Sequence, residues 1–190
     1  MNEPLLALLD SYQSRHPDEA GMVERVRALA AAHADCFERT CLPGHLTGSA
    51  WVLSPDRRQC LLLHHRKLDK WLQPGGHADG DPDVLRVAIR EATEESGLER
   101  IFALSPEPLD IDVHLIPERR NAAGEVTEPA HEHHDLRFLL ATDATAPIVV
   151  SHESNDVRWC TPDEVHRLTQ EESVLRLLRK SEAWMDNNGR

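Results

Sequence analysis

The sequence predicts an α/β domain built in layers around a mixed sheet, preceded by a helical extension. Two observations lead there. Helical and two-residue apolar periodicities alternate along the chain after about residue 41, and one long helix with well-marked ends sits among short apolar runs bounded by turn residues. A chain of 190 residues is long enough to bury one such core without disulfide or metal staples. The boundaries this implies are a helical extension at 1–40 and the main domain, with its C-terminal helix, at 41–190.

The elements follow in order. From residue 4 to about 37 two helices are expected, because Leu5, Leu6, Leu8, Leu9 and Tyr12 recur at helical spacing, as do Met22, Val26, Leu29 and Phe37, with His16-Pro17 breaking the run. Ala50 to Leu53 and Cys60 to His65 then read as two strands joined at the turn Ser54-Pro55-Asp56. A helix is predicted from about Asp83 to Ser96, with Asp81 as N-cap, Pro82 at the first helical position and Gly97 as the stop. Strands are expected at Ile101 to Leu104, Ile111 to Ile116 and His133 to Ala141, with Pro117 to Ala130 a long polar loop. A strand around Val157 to Cys160 leads into Thr161-Pro162-Asp163-Glu164, a capping box with proline at N1, and Val174, Leu175, Leu177 and Leu178 mark a C-terminal helix.

Charge narrows the function. With 33 acidic against 21 basic residues, the formal charge of −12 repels nucleic-acid polymers and anionic lipid surfaces. No apolar run approaches the roughly 20 residues of a membrane span, and MNEPLLALLD lacks the basic start of a secretory signal, so a cytoplasmic protein is expected. Cys36, Cys41, Cys60 and Cys160 show no metal or redox spacing and are expected to be idle thiols.

Chemistry concentrates between Trp71 and Leu98. At about 100° per residue Glu91, Glu94 and Glu95 project from one side of the predicted helix, and Leu85, Ala88, Ile89 and Ala92 line another. Like charges at these spacings disfavour a helix by about 0.2–0.5 kcal/mol per pair unless cations occupy the patch, and an all-oxygen site suits Mg²⁺ or Mn²⁺. The same residues also fit a solvated acidic face with Arg90 paired to Glu94.

This segment resembles the Nudix hydrolase signature, G-x5-E-x7-R-E-U-x-E-E-x-G-U with U bulky and apolar. Gly76, Arg90, Glu91, Glu94, Glu95, Gly97 and Leu98 fall in register behind the lead-in Trp71-Leu72-Gln73-Pro74-Gly75; Ala92 and Pro82 depart from it. The position of Pro82 bears on how Arg90 is oriented, with Asp81 or Asp83 as substitutes for the missing glutamate. The resemblance implies an α/β/α sandwich and a metal-dependent enzyme that cleaves a nucleoside diphosphate linked to X into a nucleoside monophosphate and phosphorylated X. It further implies Glu91 and Glu95 as Mg²⁺ or Mn²⁺ ligands, Glu94 as a ligand or the group orienting water, the Gly75 carbonyl as a further ligand, and Arg90 as the residue holding the glutamates. Gly75 and Gly76 let backbone approach the phosphates.

Outside this segment Glu153 is the candidate general base. Arg66, at a strand end leading into the glycine turn, and Arg137 are candidate phosphate contacts, and Trp71 a candidate base-stacking ring. If the run His131-Glu132-His133-His134-Asp135 is extended, His131, His133 and Asp135 share a face with Arg137; it resembles the H-x-H-x-D-H zinc pattern except at Leu136. A zinc hydrolase centred there, and a non-catalytic nucleotide-binding module, are the alternatives. The expected partner is a small nucleotide substrate. The apolar stripes of the N-terminal helices fit a cover over the site, a cap on the sheet or a homodimer interface.

Overall fold

Helix α1 (Glu3–Arg15) begins where the Asn2 side chain accepts the Leu5 amide and Pro4 occupies the first turn; helix α2 (Ala20–Ala32) follows a short 3-10 turn at Pro17. The structure is a computed structural model that describes residues 2–143, 147–152 and 154–188. The remaining elements are β1 (Gly44–Leu53), β2 (Cys60–His65), β3 (Lys70–Leu72), β4 (Gly75–His77), α3 (Val84–Ser96), β5 (Ile101–Ile116), β6 (Arg119–Arg120), β7 (Val126–Glu128), β8 (His131–Thr142), β9 (Ser154–Cys160), α4 (Pro162–Leu168) and α5 (Glu172–Asn188).

Among the described residues seven strands form one mixed sheet in the order β3-β2-β1-β8-β5, with β4 beside β1 and β9 beside β2. Strands β1 and β8 run parallel from Gly44↔Glu132 to Leu53↔Ala141, and the other pairings are antiparallel. Alternation in β1 and β8 then sends two different sets of side chains to the two faces. Leu46, Ala50, Val52, Leu136, Phe138 and Leu140 meet Val84, Val87, Ala88 and Ala92 of α3, and the same core takes in Leu5, Leu9, Tyr12, Val23, Val26 and Leu29 of α1 and α2. On the opposite face Trp51, Leu53, Leu139 and Ala141 meet Val165, Val174, Leu177 and Leu178 of α4 and α5. The layers are therefore helix, sheet, helix, as expected.

Gly48 sets how closely α3 lies on β1. A Cβ there would stand 2.6 Å from the Val84 carbonyl oxygen and 3.0 Å from a Val87 methyl, so only glycine permits this approach.

Four local expectations are corrected. Helix α2 ends at Ala32 instead of near Phe37, because His33 turns to extended backbone and the following turns tie to the sheet through Leu46 N–H donating to Cys36 C=O. The two strands expected at Ile101 and Ile111 are one strand with register shifts around Pro108, since proline has no N–H for the ladder. The polar stretch after Pro117 holds the β6–β7 hairpin, turned at Asn121 to Gly124 with Gly124 at φ +83° and braced by the Arg119–Glu128 ion pair. Helix α3 starts one residue later than expected: Asp83, not Asp81, is its N-cap, accepting the Arg86 amide, and Pro82 lies outside the helix.

Candidate active site

Strand β4 and helix α3 meet at the glycine pair. The Gly75 N–H donates to Glu95 Oε2 at 3.0 Å, which fixes that carboxylate against the β4 backbone. A Cβ on Gly76 would collide with the Glu91 carboxyl group, and one on Gly75 would collide with the Ser49 hydroxyl. Gly75 is therefore required by its approach to the β1 backbone, and a side chain at Gly76 would displace the Glu91 carboxyl group. Glu95 is buried at 8% exposure, Glu91 is half-buried and Glu94 is exposed, so the three carboxylates run from the interior to the solvent along one helix face.

Arg90 organises this patch from the side. Its Nη2 donates to the His77 carbonyl at 2.8 Å and to Glu91 Oε1 at 2.7 Å. The pairing is with Glu91, not Glu94. Neither suggested substitute for the absent box glutamate serves Arg90: Asp81 pairs with Arg86, and Asp83 caps the helix. The His77 carbonyl is the partner that orients the guanidinium in this chain. Burial pushes the Glu91 carboxyl above its ordinary range, with Arg90 opposing and Glu94 adding to the shift. A buried carboxylate group, crowded by like charges and backed by a bare glycine backbone, fits a hard divalent cation, which favours the charged forms that burial disfavours.

The other sequence candidates fall elsewhere. Arg137 is corrected: at 2% exposure it is interior, donating through Nε to Asp135 (2.9 Å), through Nη1 to Asp110 (3.3 Å) and Ser173 C=O (3.1 Å), and through Nη2 to Asp112 (2.8 Å). Its alternation on β8 was legible, but three interior carboxylates claim the guanidinium. Arg66 is exposed and anchored to Ser154 C=O and Asn155 at the start of β9. The Trp71 ring is occupied by stacking on His64 at 5.1 Å and by the Arg158 guanidinium at 4.6 Å, which corrects the expectation of a free base-stacking platform. Glu153 lies outside the described residues.

His131, His133 and Asp135 do share one face of β8 with Arg137, yet Asp135 belongs to Thr47, Ser49 and Arg137. The histidines instead gather with His45 of β1 and His77 of β4, residues that the sequence reading did not single out. The signal was present in the alternation His45, Thr47, Ser49, which continues the two-residue period of β1 with polar groups on the face that carries Trp51 farther along. Beginning the strand at Ala50 concealed it.

Three comparisons bear on these observations. The NUDIX domain family model matches residues 45–180. A probable DHNTP pyrophosphohydrolase of Lactococcus lactis subsp. cremoris is 28% identical over 140 residues, covering 74% of this chain and 79% of that protein. Among solved structures, the Ap4A hydrolase of C. elegans in a binary complex matches with a TM-score of 0.54 at 19% identity, covering 75% of this chain and 98% of its own, which supports the fold. A Nudix hydrolase of M. smegmatis, RenU, matches with a TM-score of 0.54 at 17% identity over 77% of this chain and 88% of its own. With the family model spanning most of its length and the glutamates of α3 set against a glycine turn, this chain belongs to the NUDIX family and is a pyrophosphohydrolase.

Proposed function

We propose that the protein uses Mg²⁺ or Mn²⁺ to hydrolyse the pyrophosphate bond of a nucleoside diphosphate linked to a second group X, giving a nucleoside monophosphate and phosphorylated X. The observation that carries this reading is the Gly75 N–H bond to Glu95 beside a Gly76 that leaves room only for the Glu91 carboxyl group. Glu91, Glu94, Glu95 and the Gly75 carbonyl supply the oxygen donors, and Gly76 keeps the phosphate approach open. When bound, the cation supplies charge neutralisation and acidifies water.

The chain's own residues do the rest. Arg90 holds Glu91 in register with the His77 carbonyl, so that the carboxylate is oriented before substrate arrives. Glu95 is fixed by backbone, and Glu94 at the solvent side is placed to orient water. In the reaction a bond forms between the water oxygen and one phosphorus, the bridging P–O bond breaks, and the water proton passes to a base, for which Glu153 is the sequence candidate. Arg66, on the exposed end of the β2–β3 turn, is the remaining phosphate contact. The family identity of X is read by residues outside α3.

Turnover against ADP-ribose, NAD(H), nucleoside triphosphates, dinucleoside polyphosphates, sugar nucleotides, CoA and a pterin triphosphate, each with Mg²⁺ or Mn²⁺, tests this. Glu95→Gln preserves an acceptor for Gly75 N–H while removing the charge. It is expected to lower kcat by about 10²–10³-fold, the range for one lost group that stabilises developing charge. Binding of a panel member without cleavage by the wild type overturns hydrolysis in favour of a nucleotide-binding module.

A further inference from the structure

On the sheet face opposite α3, where α5 no longer covers it, imidazoles replace apolar side chains. The rings of His45 and His131 stack at 4.9 Å, His45 and His133 lie 4.9 Å apart, and His77 stands 5.1 Å from His45 and 5.0 Å from His133. One ligand nitrogen from each of His45, His131 and His133 lies within 4.8 Å of the others. His45 is 2% exposed, and neither of its ring nitrogens makes a hydrogen bond of normal geometry. The Cys41 backbone approaches one edge of this buried ring, which leaves a ring nitrogen that protein atoms do not satisfy.

The tautomers point the same way. His131 Nδ1 lies 2.8 Å from the Pro129 carbonyl, which can only accept, so Nδ1 carries the proton and Nε2 of the uncharged ring carries the lone pair. That Nε2 faces His133 Nε2 at 3.3 Å. Two imidazole nitrogens bound to one tetrahedral zinc, each at about 2.0–2.1 Å, are separated by about 3.3 Å. A ring nitrogen held by a backbone carbonyl on the far side is the usual support for such a ligand.

We propose that His45, His131 and His133 form a transition-metal site of the Zn²⁺ type, separate from the all-oxygen site of the glutamates. Access is from a cavity of about 280 Å³ lined by Arg39, His45, His77, Glu128 and His131. His77 and Glu128, the latter 4.0 Å from His131 Nε2, border the open coordination position. Imidazole donors favour Zn²⁺, Ni²⁺ or Cu²⁺ over Mg²⁺, so the two sites select different ions. This inference is independent of what the enzyme cleaves.

The test is metal content of the full chain after loading with Zn²⁺ and dialysis against excess Mg²⁺, by mass spectrometry of the metal, together with the visible spectrum of the Co²⁺-loaded protein. The expected result is one equivalent of zinc in the wild type and in Glu95→Gln, lost in His131→Ala and in His133→Ala, with a Co²⁺ spectrum of intense four-coordinate bands. The wild-type spectrum does not depend on any variant folding. Zinc retained by both histidine variants, zinc lost in Glu95→Gln, or a weak six-coordinate Co²⁺ spectrum overturns the proposal. So does loss in Cys41→Ser, which assigns the ion to the group His33, Asp35 and Cys41.

Discussion

Replacing Arg137 by methionine removes a guanidinium from the interior without leaving a large void, and the structure says where the damage falls. Asp110 keeps Arg176 at 2.9 Å and Lys180 at 2.7 Å, and Asp112 keeps Arg176 at 2.7 Å and the His114 ring at 2.9 Å. Among the described residues Asp135 keeps the hydroxyls of Thr47 and Ser49 and no cation. The cost is therefore that of one buried carboxylate deprived of its countercharge, about 3–5 kcal/mol. At about 2–4 °C per kcal/mol for a chain of this size, the unfolding midpoint falls by about 6–20 °C at pH 7. Adding Asp135→Asn to Arg137→Met restores part of the loss, since it deletes that charge while keeping an acceptor for both hydroxyls. Calorimetry and urea unfolding at pH 7 on the two single variants and the double variant measure the loss and its recovery. A loss below about 1 kcal/mol, the scale of an exposed pair, refutes the burial argument. A double variant less stable than Arg137→Met refutes the assignment to Asp135.

Two further perturbations test the frame around the site. Gly48→Ala puts a Cβ 2.6 Å from the Val84 carbonyl and must move α3 outward, at about 1–3 kcal/mol for overpacking, less the few tenths to 1 kcal/mol that alanine returns by restricting the unfolded chain. Because α3 carries Glu91, Glu94 and Glu95, turnover should fall by up to about 10²-fold, and a variant with wild-type stability and rate contradicts the close contact. Acid should destabilise the protein below about pH 4. Burial alone would raise the carboxyl of Asp112, but the His114 hydrogen bond and Arg137 and Arg176 hold it below the usual range; at Asp110 the Arg176 hydrogen bond, Arg137 and Lys180 do the same. A lowered folded value means that the unfolded chain binds protons first, so the contribution is complete above the ordinary carboxylate range and is lost as pH falls from there toward the lowered folded values. Asp112→Asn should flatten the midpoint-against-pH curve from about pH 4 downward, and an unchanged slope counts against this origin.

The legible parts of the molecule were those written in local chemistry. Gly97 takes φ +70° at the end of α3, and Thr161 and Glu164 form the reciprocal capping box with Pro162 in the first turn. The alternation of Leu136, Phe138 and Leu140 correctly placed one face of β8 in the core. What sequence could not convey was pairing between distant segments. His45 and His131 are brought together by the parallel register of β1 with β8, and Arg137 reaches Asp110 because β5 runs antiparallel to β8 on the other side. A charged residue on a strand looks like a surface residue until the carboxylates of a second strand are known to lie opposite it. The start of α3 failed for a different reason: Asp81 and Asp83, on either side of Pro82, offer competing caps, and the choice depends on Asp81 being taken by Arg86.

The sheet also explains how one small domain can keep two unlike sets of donors apart. Successive residues of a strand point to opposite faces, so Gly76 backs onto the Glu91 carboxyl group while its neighbour His77 joins the imidazoles. The His77 carbonyl, still in the plane of the sheet, is the acceptor that orients Arg90 toward Glu91. One residue thus presents its ring to the histidine face and its backbone to the carboxylates. A ligand that shifts the His77 ring far enough to carry the β4 backbone with it acts through the His77 carbonyl on Arg90 and Glu91. The hydrolysis of a phosphoric anhydride at the glutamates would then respond to zinc at the imidazoles, whereas His131→Ala, which leaves β4 untouched, would abolish that response and preserve the basal rate with Mg²⁺. Rates measured with and without Zn²⁺ at fixed Mg²⁺, in wild type and in His131→Ala, decide it: equal responses in both proteins break the link through His77.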